Sequence, residues 1–103
     1  MREAQYQAKL INKLRVILPN CVILKNDPSY LQGVPDLLIL FHDRWAMLEV
    51  KMDGNTNYEP NQEYYIGLLD DMSFASFINP QTEEDVLYEL QCSFGIIGSP
   101  RIS

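Results

Sequence analysis

The chain is poor in the residues from which many small sites are built. It has two cysteines and one histidine. Cys21 and Cys92 lie far apart, with no CxxC and no Cys/His cluster, so the spacing of a zinc site is missing. Both are expected to be reduced thiols, at least one of them in the core. Long apolar runs are also absent, and the longest is far too short to span a membrane. The segment from Met1 to Gln7 lacks the apolar centre of a signal peptide, which leads to an expectation of an intracellular, cytoplasmic protein with no membrane partner. No repeat or low-complexity stretch interrupts the chain. Its 103 residues suffice for one domain around one core.

Basic residues are scarce as well. Eight Lys and Arg against 14 Asp and Glu leave a net charge of −6. That argues against a large basic surface of the kind that dominates non-specific DNA binding. It does not exclude a metal site, which needs clustered acids whose charge a divalent cation offsets. The basic residues are unevenly placed. Arg2, Lys9, Lys13, Arg15 and Lys25 fall in the first quarter, whereas Met52 to Pro100 contains no Lys or Arg. Lys9, Lys13 and Arg15 read either as an exposed helix face or as phosphate contacts.

What is present is a clear alternation of helical and extended patterns. Arg2 to Leu18 reads as a helix stopped by Pro19, with Glu3, Gln7, Leu10, Leu14 and Ile17 on one face. Cys21 to Lys25 reads as a strand. Asp27 to Pro35 is a turn-rich loop with two prolines and Gly33. Asp36 to Phe41 and Arg44 to Lys51 are strands joined by a turn at His42-Asp43. Asp53 to Asn61 is a polar loop, and Pro60 to Met72 a helix with proline in its first turn. Ser73 to Ile78 is a short strand. Thr82 to Phe94 is a helix with Thr82 as N-cap and Asp85 completing an approximate capping box. Glu83, Glu84 and Asp85 read as a solvated helix start. A tail follows from Gly95. The order α-β-β-β-α-β-α, with two strands apolar at nearly every position, predicts an α/β fold: a small mixed sheet with helices on both faces.

The charged residues inside these strands carry the chemistry. Glu49 and Lys51 flank Val50 at the end of an apolar run, and alternation points both to the same face. Charges seldom occupy such a run unless they are paired or hold something. A two-residue turn at His42-Asp43 pairs Phe41 with Arg44, Leu40 with Trp45, Leu38 with Met47, and Asp36 with Glu49. Opposed residues share a face, roughly 4.5–5.5 Å apart at Cβ. Two carboxylates that close repel unless a cation lies between them. Oxygen-only ligation suits Mg²⁺ or Mn²⁺. Glu3, one turn before the apolar stripe, and Gln62, sharing a face with Tyr65, Ile66 and Leu69, are aimed at the same place. Each residue also has a plainer reading. Asp36 is then a turn residue after Pro35, Glu49 and Lys51 a cross-strand charge pair, Glu3 an acid favoured by the helix dipole, and Gln62 a helix-start residue. Trp45, Tyr64, Tyr65 and Tyr88 read as core or interface aromatics.

Gly33-Val34-Pro35-Asp36-Leu37-Leu38, then Leu48-Glu49-Val50-Lys51, then Asn61-Gln62, after a helix bearing Glu3 and Gln7, resembles the PD-(D/E)XK nuclease superfamily. More narrowly, it is similar to the compact standalone VRR-NUC family found in phages and bacteria. The likeness spans roughly residues 3 to 80. It implies a restriction-endonuclease-like core and divalent-metal hydrolysis of phosphodiesters in DNA. It also implies Glu3, Asp36, Glu49 and the Val50 carbonyl as metal ligands, Lys51 as catalytic lysine and Gln62 in support. Standalone members resemble Holliday junction resolvases that act as homodimers on four-way or other branched DNA. The expectation is therefore a dimeric junction resolvase. The alternatives are a nickase or other structure-specific nuclease, or a non-catalytic DNA-binding module. Phe74, Phe77 and Ile78, or Phe94 to Ile97, are candidate dimer surfaces.

Overall fold

A computed structural model describes residues 1–52 and 60–97. Most of the loop expected after Asp53, and the tail beyond residue 97, lie outside the described residues. The elements are α1 (Glu3–Ile17), β1 (Val22–Lys25), β2 (Leu37–Phe41), β3 (Arg44–Val50), α2 (Gln62–Met72), β4 (Ala75–Ile78) and α3 (Glu83–Ser93). They form an α/β unit in the expected order. The four strands lie β1-β2-β3-β4, with the first two neighbours antiparallel and β3-β4 parallel. The parallel step needs a crossover, which α2 provides.

The β2–β3 hairpin has the two-residue turn that the register requires. His42 takes φ 56°, the left-handed conformation demanded at the first central position of such a turn. Phe41 faces Arg44, Leu40 faces Trp45, Leu38 faces Met47 and Leu37 faces Leu48, as alternation had implied.

One face of the sheet carries the core. Leu37, Ile39, Ala46, Leu48, Val50 and Ile78 meet Tyr6, Leu10, Leu14 and Leu18 from the first helix and Leu87, Leu90 and Phe94 from the last. Burying each such leucine contributes about 1.5–3 kcal/mol. The stripe of α1 differs from the expected one. Tyr6 takes the place given to Gln7, Ile17 is only half-buried, and Glu3 is exposed. Tyr6 prevails because its ring fills the core while its hydroxyl donates to Glu83 Oε1 at 2.8 Å. Glu83, also paired with Lys13, is thus a tie between α1 and α3 rather than a merely solvated acid.

The other sheet face is covered over only part of its width. The helix α2 packs on β3 and β4. Beside it, Val22, Leu24 and Leu40 remain 50%, 47% and 37% exposed, and Leu38, Trp45 and Met47 are half-buried. Their pairings place them all on one face. The expectation of helices on both faces is therefore met fully on one side and partly on the other.

Smaller departures have local causes. Asn61, not Pro60, precedes α2, in a left-handed conformation with φ 72°. Ser73 turns its hydroxyl to the Trp45 carbonyl, so β4 begins only at Ala75. Thr82 makes no side-chain cap on α3. Its Oγ1 instead accepts the Asn79 N–H at 3.1 Å, and Asn79 Oδ1 accepts those of Gln81 and Thr82. Both cysteines are free thiols and half-buried, so neither lies fully in the core. Ile78 and Phe94 belong to the core and offer no dimer surface. Tyr64 is 63% exposed, while Trp45, Tyr65 and Tyr88 are half-buried.

Candidate active site

Asp36 and Glu49 stand just outside or at the end of their strands, where the β2–β3 ladder opens. Asp36 precedes β2 by one residue, and its carbonyl accepts the Asn26 N–H at 2.8 Å, which extends the pairing with β1. The two acids clamp each other's backbone. The Asp36 N–H donates to Glu49 Oε1 at 3.0 Å, and the Val50 N–H donates to Asp36 Oδ2 at 3.1 Å. Gln62, at the first position of α2, donates from Nε2 to Glu49 Oε2 at 3.0 Å. Lys51 follows β3, with its N–H held by the Ile78 carbonyl at 2.9 Å.

Asp36, Glu49 and Gln62 share a cleft of about 340 Å³ with Glu3 and, from the β1–β2 loop, with Pro28, Gln32, Gly33 and Val34. Glu3 thus lines the same cleft from an exposed position at the start of α1. A larger cavity of about 620 Å³ lies by the start of β4, among Asp70, Phe74, Val86 and Glu89, and holds none of the expected site residues. Its acids Asp70, Asp85 and Glu89 are all exposed, whereas the smaller cleft holds the buried Glu49, which makes the smaller cleft the candidate site.

Electrostatics mark the pair as costly. Glu49 is 6% exposed. Burial first, then the Asp36 charge and more weakly Glu3, push its carboxyl up to about 8, against the opposing pull of the Asp36 N–H and Lys51. Burial also raises Asp36, opposed by the Val50 N–H and Lys51. An acid that is hard to ionise beside a second acid is where a cation is best accommodated.

Among the described residues no group of three or more His, Cys, Asp or Glu side chains is arranged to share one ion. Asp36 and Glu49 are a pair, with Glu3 farther out along the cleft. That donor set still fits Mg²⁺ or Mn²⁺, since Mg²⁺ retains several waters and binds through one or two carboxylates. Of Val50, the structure displays the N–H acting on Asp36.

The sequence did not reveal Asn26, whose Nδ2 also holds the Pro35 carbonyl at 2.8 Å. No spacing rule singles out an asparagine at a strand end. Gly33 has a traceable role. With φ 92°, it passes 2.7 Å (measured from an added Cβ) from the Pro60 carbonyl and the Asn61 Cβ, so only glycine lets the loop and the start of α2 close around Glu49.

Comparison with protein-family models, with curated proteins and with solved structures gives no match to this chain.

Proposed function

We propose that the chain is a divalent-metal-dependent DNA endonuclease, acting as a dimeric Holliday junction resolvase on four-way or similarly branched DNA. The observation that carries the reading is the buried Glu49 beside the half-buried Asp36 in one cleft, braced by Gln62 and under the charge of Lys51. The resemblance of these residues to the VRR-NUC pattern supports the same class.

Asp36 and Glu49 would hold the cation, with the Val50 carbonyl and Glu3 as further oxygens. When bound, Mg²⁺ or Mn²⁺ polarises a phosphoryl oxygen and makes water a better nucleophile. Lys51, whose charge acts on both carboxylates, stabilises negative charge developing on the phosphorus oxygens and orients the attacking water. Gln62 fixes the rotamer of Glu49 through Oε2. The β1–β2 loop forms one wall of the cleft.

The reciprocal backbone clamp favours one rival reading. Two acids that each bind the neighbouring strand would also suit a non-catalytic DNA-binding module. Cleavage of a labelled four-way junction, a linear duplex and a single strand, with Mg²⁺, Mn²⁺ or EDTA, separates the readings. Paired cuts in the junction that need the metal are expected. Lys51→Ala should lower the rate roughly 10²–10³-fold while leaving the fold intact. Equal cutting of linear duplex would remove the junction assignment, and binding without any cutting would establish the passive module.

A further inference from the structure

Tyr30 is an aromatic residue placed where a core residue is not needed. It is 88% exposed, the most exposed of the large hydrophobic side chains among the described residues. Leu31 beside it is 39% exposed. Solitary exposed apolar residues are ordinary, but these two differ in their setting.

The loop that carries them is held in shape by its own bonds. Asp27 Oδ1 accepts the Ser29 N–H at 2.9 Å and the Ser29 hydroxyl at 2.6 Å. The Asp27 carbonyl accepts the Tyr30 N–H at 3.2 Å, and the Leu31 carbonyl accepts the Val34 N–H at 3.3 Å. Pro28 restricts the backbone between them. Tyr30 is thus presented by a preformed turn, at little entropic cost on binding.

The same loop has two working sides. Pro28, Gln32, Gly33 and Val34 line the acid cleft. Tyr30 and Leu31, with Asn26, Asp27 and Val34, line a second hollow of about 410 Å³ that shares Val34 with the cleft. An extended strand with a phosphate at Asp36 and Glu49 therefore has its neighbouring nucleotides within the span of this loop.

We infer that Tyr30 stacks on an unpaired or unstacked base at the branch point, with Leu31 as its apolar flank, and so selects branched over linear DNA. Every base offers a π-face, so this contact reads exposure of a base rather than its identity. It suits a chain whose net charge of −6 leaves little capacity for binding through phosphates alone. The inference rests on the nuclease reading for its substrate, but its test does not require cutting.

The test is binding of a four-way junction carrying 2-aminopurine at the branch point, with Ca²⁺ in place of Mg²⁺ to neutralise the acids. The wild-type chain should quench the probe at the branch and not in an arm. Tyr30→Phe should keep the quenching. Tyr30→Ala should lose it and bind the junction about tenfold or more weakly, with linear duplex affinity unchanged. Unaltered quenching and affinity in Tyr30→Ala would overturn the inference, as would equal losses on junction and duplex. Quenching by a protein that cuts nothing with Mg²⁺ or Mn²⁺ would uphold Tyr30 while sinking the nuclease reading.

Discussion

Glu49 is the residue on which the site's energetics turn. Its carboxyl is pushed up to about 8 in the folded protein, against 4.5 for a free glutamate. An acid raised in the native state binds its proton more tightly there than in the unfolded chain. Its contribution to stability is therefore full below about pH 4.5 and is lost progressively as pH rises towards 8. Asp36 is shifted in the same direction and adds to the slope. In EDTA the protein should lose stability from pH 5 to pH 8, by a few kcal/mol. Glu49→Gln should flatten that slope and melt higher than wild type at pH 8. Urea titrations of both proteins across this range check it, and a wild-type stability that rises from pH 5 to 8 would contradict the buried-acid account.

The hairpin and the α2 start are the elements that build the site, and each depends on a backbone conformation that most residues resist. Gly33→Ala would place a Cβ at a positive φ and 2.7 Å from the Pro60 carbonyl. It should destabilise the protein by about 1–3 kcal/mol, loosen the hold of Gln62 on Glu49, and depress cleavage. Gly67→Ala is the matched control. Gly67 lies inside α2 with open space around it, so alanine should stabilise by up to about 1 kcal/mol and leave cleavage unchanged. Equal effects of the two substitutions on urea midpoint and cleavage would show that close approach at Gly33 is unimportant. Much of this element-level design was legible in the sequence. Period-two alternation and a two-residue turn set the Asp36–Glu49 register, because a slip by one would have turned every side chain over. The helix α1 was less legible. Its three-four spacing admits two adjacent stripes, and the choice of Tyr6 over Gln7 depends on Glu83, 77 positions away. The missing cap at Thr82 has the same origin: its hydroxyl had a competing partner in Asn79, a matter of three-dimensional placement rather than residue type.

At the scale of the whole molecule the uncovered half of the sheet is the feature that two-site cutting would use. Paired cuts on opposite strands need two copies of the Asp36–Glu49 site, and like subunits most often associate about a two-fold axis. The strand β1 is one edge of the sheet, beside the uncovered half. A second β1 can add antiparallel with Ile23 opposite its own counterpart, which keeps Ile23 on the core face and sets Val22 opposite Leu24 of the partner subunit on the outer face. Val22, Leu24, Leu38 and Leu40 would then continue into the same row of the second sheet, with Val22 and Leu24, 50% and 47% exposed in one copy, gaining lateral apolar neighbours. In a dimer such a strip would be the apolar centre of the interface, to which a polar rim must add, since a stable interface needs about 800 Å² per partner. Native Lys25 lies at the strand's end on the other face, whereas a lysine inside the apolar row of the edge strand opposes this kind of pairing. Leu24→Lys, on a half-exposed position, should leave the urea midpoint of the monomer within about 0.5 kcal/mol of wild type. It should weaken self-association at least tenfold in sedimentation equilibrium, and convert paired junction cuts into single nicks. A Leu24→Lys protein that still sediments as a dimer and still cuts both strands together would move the interface away from β1. A wild-type chain that stays monomeric at micromolar concentration with junction DNA present would remove the paired-cut arrangement altogether.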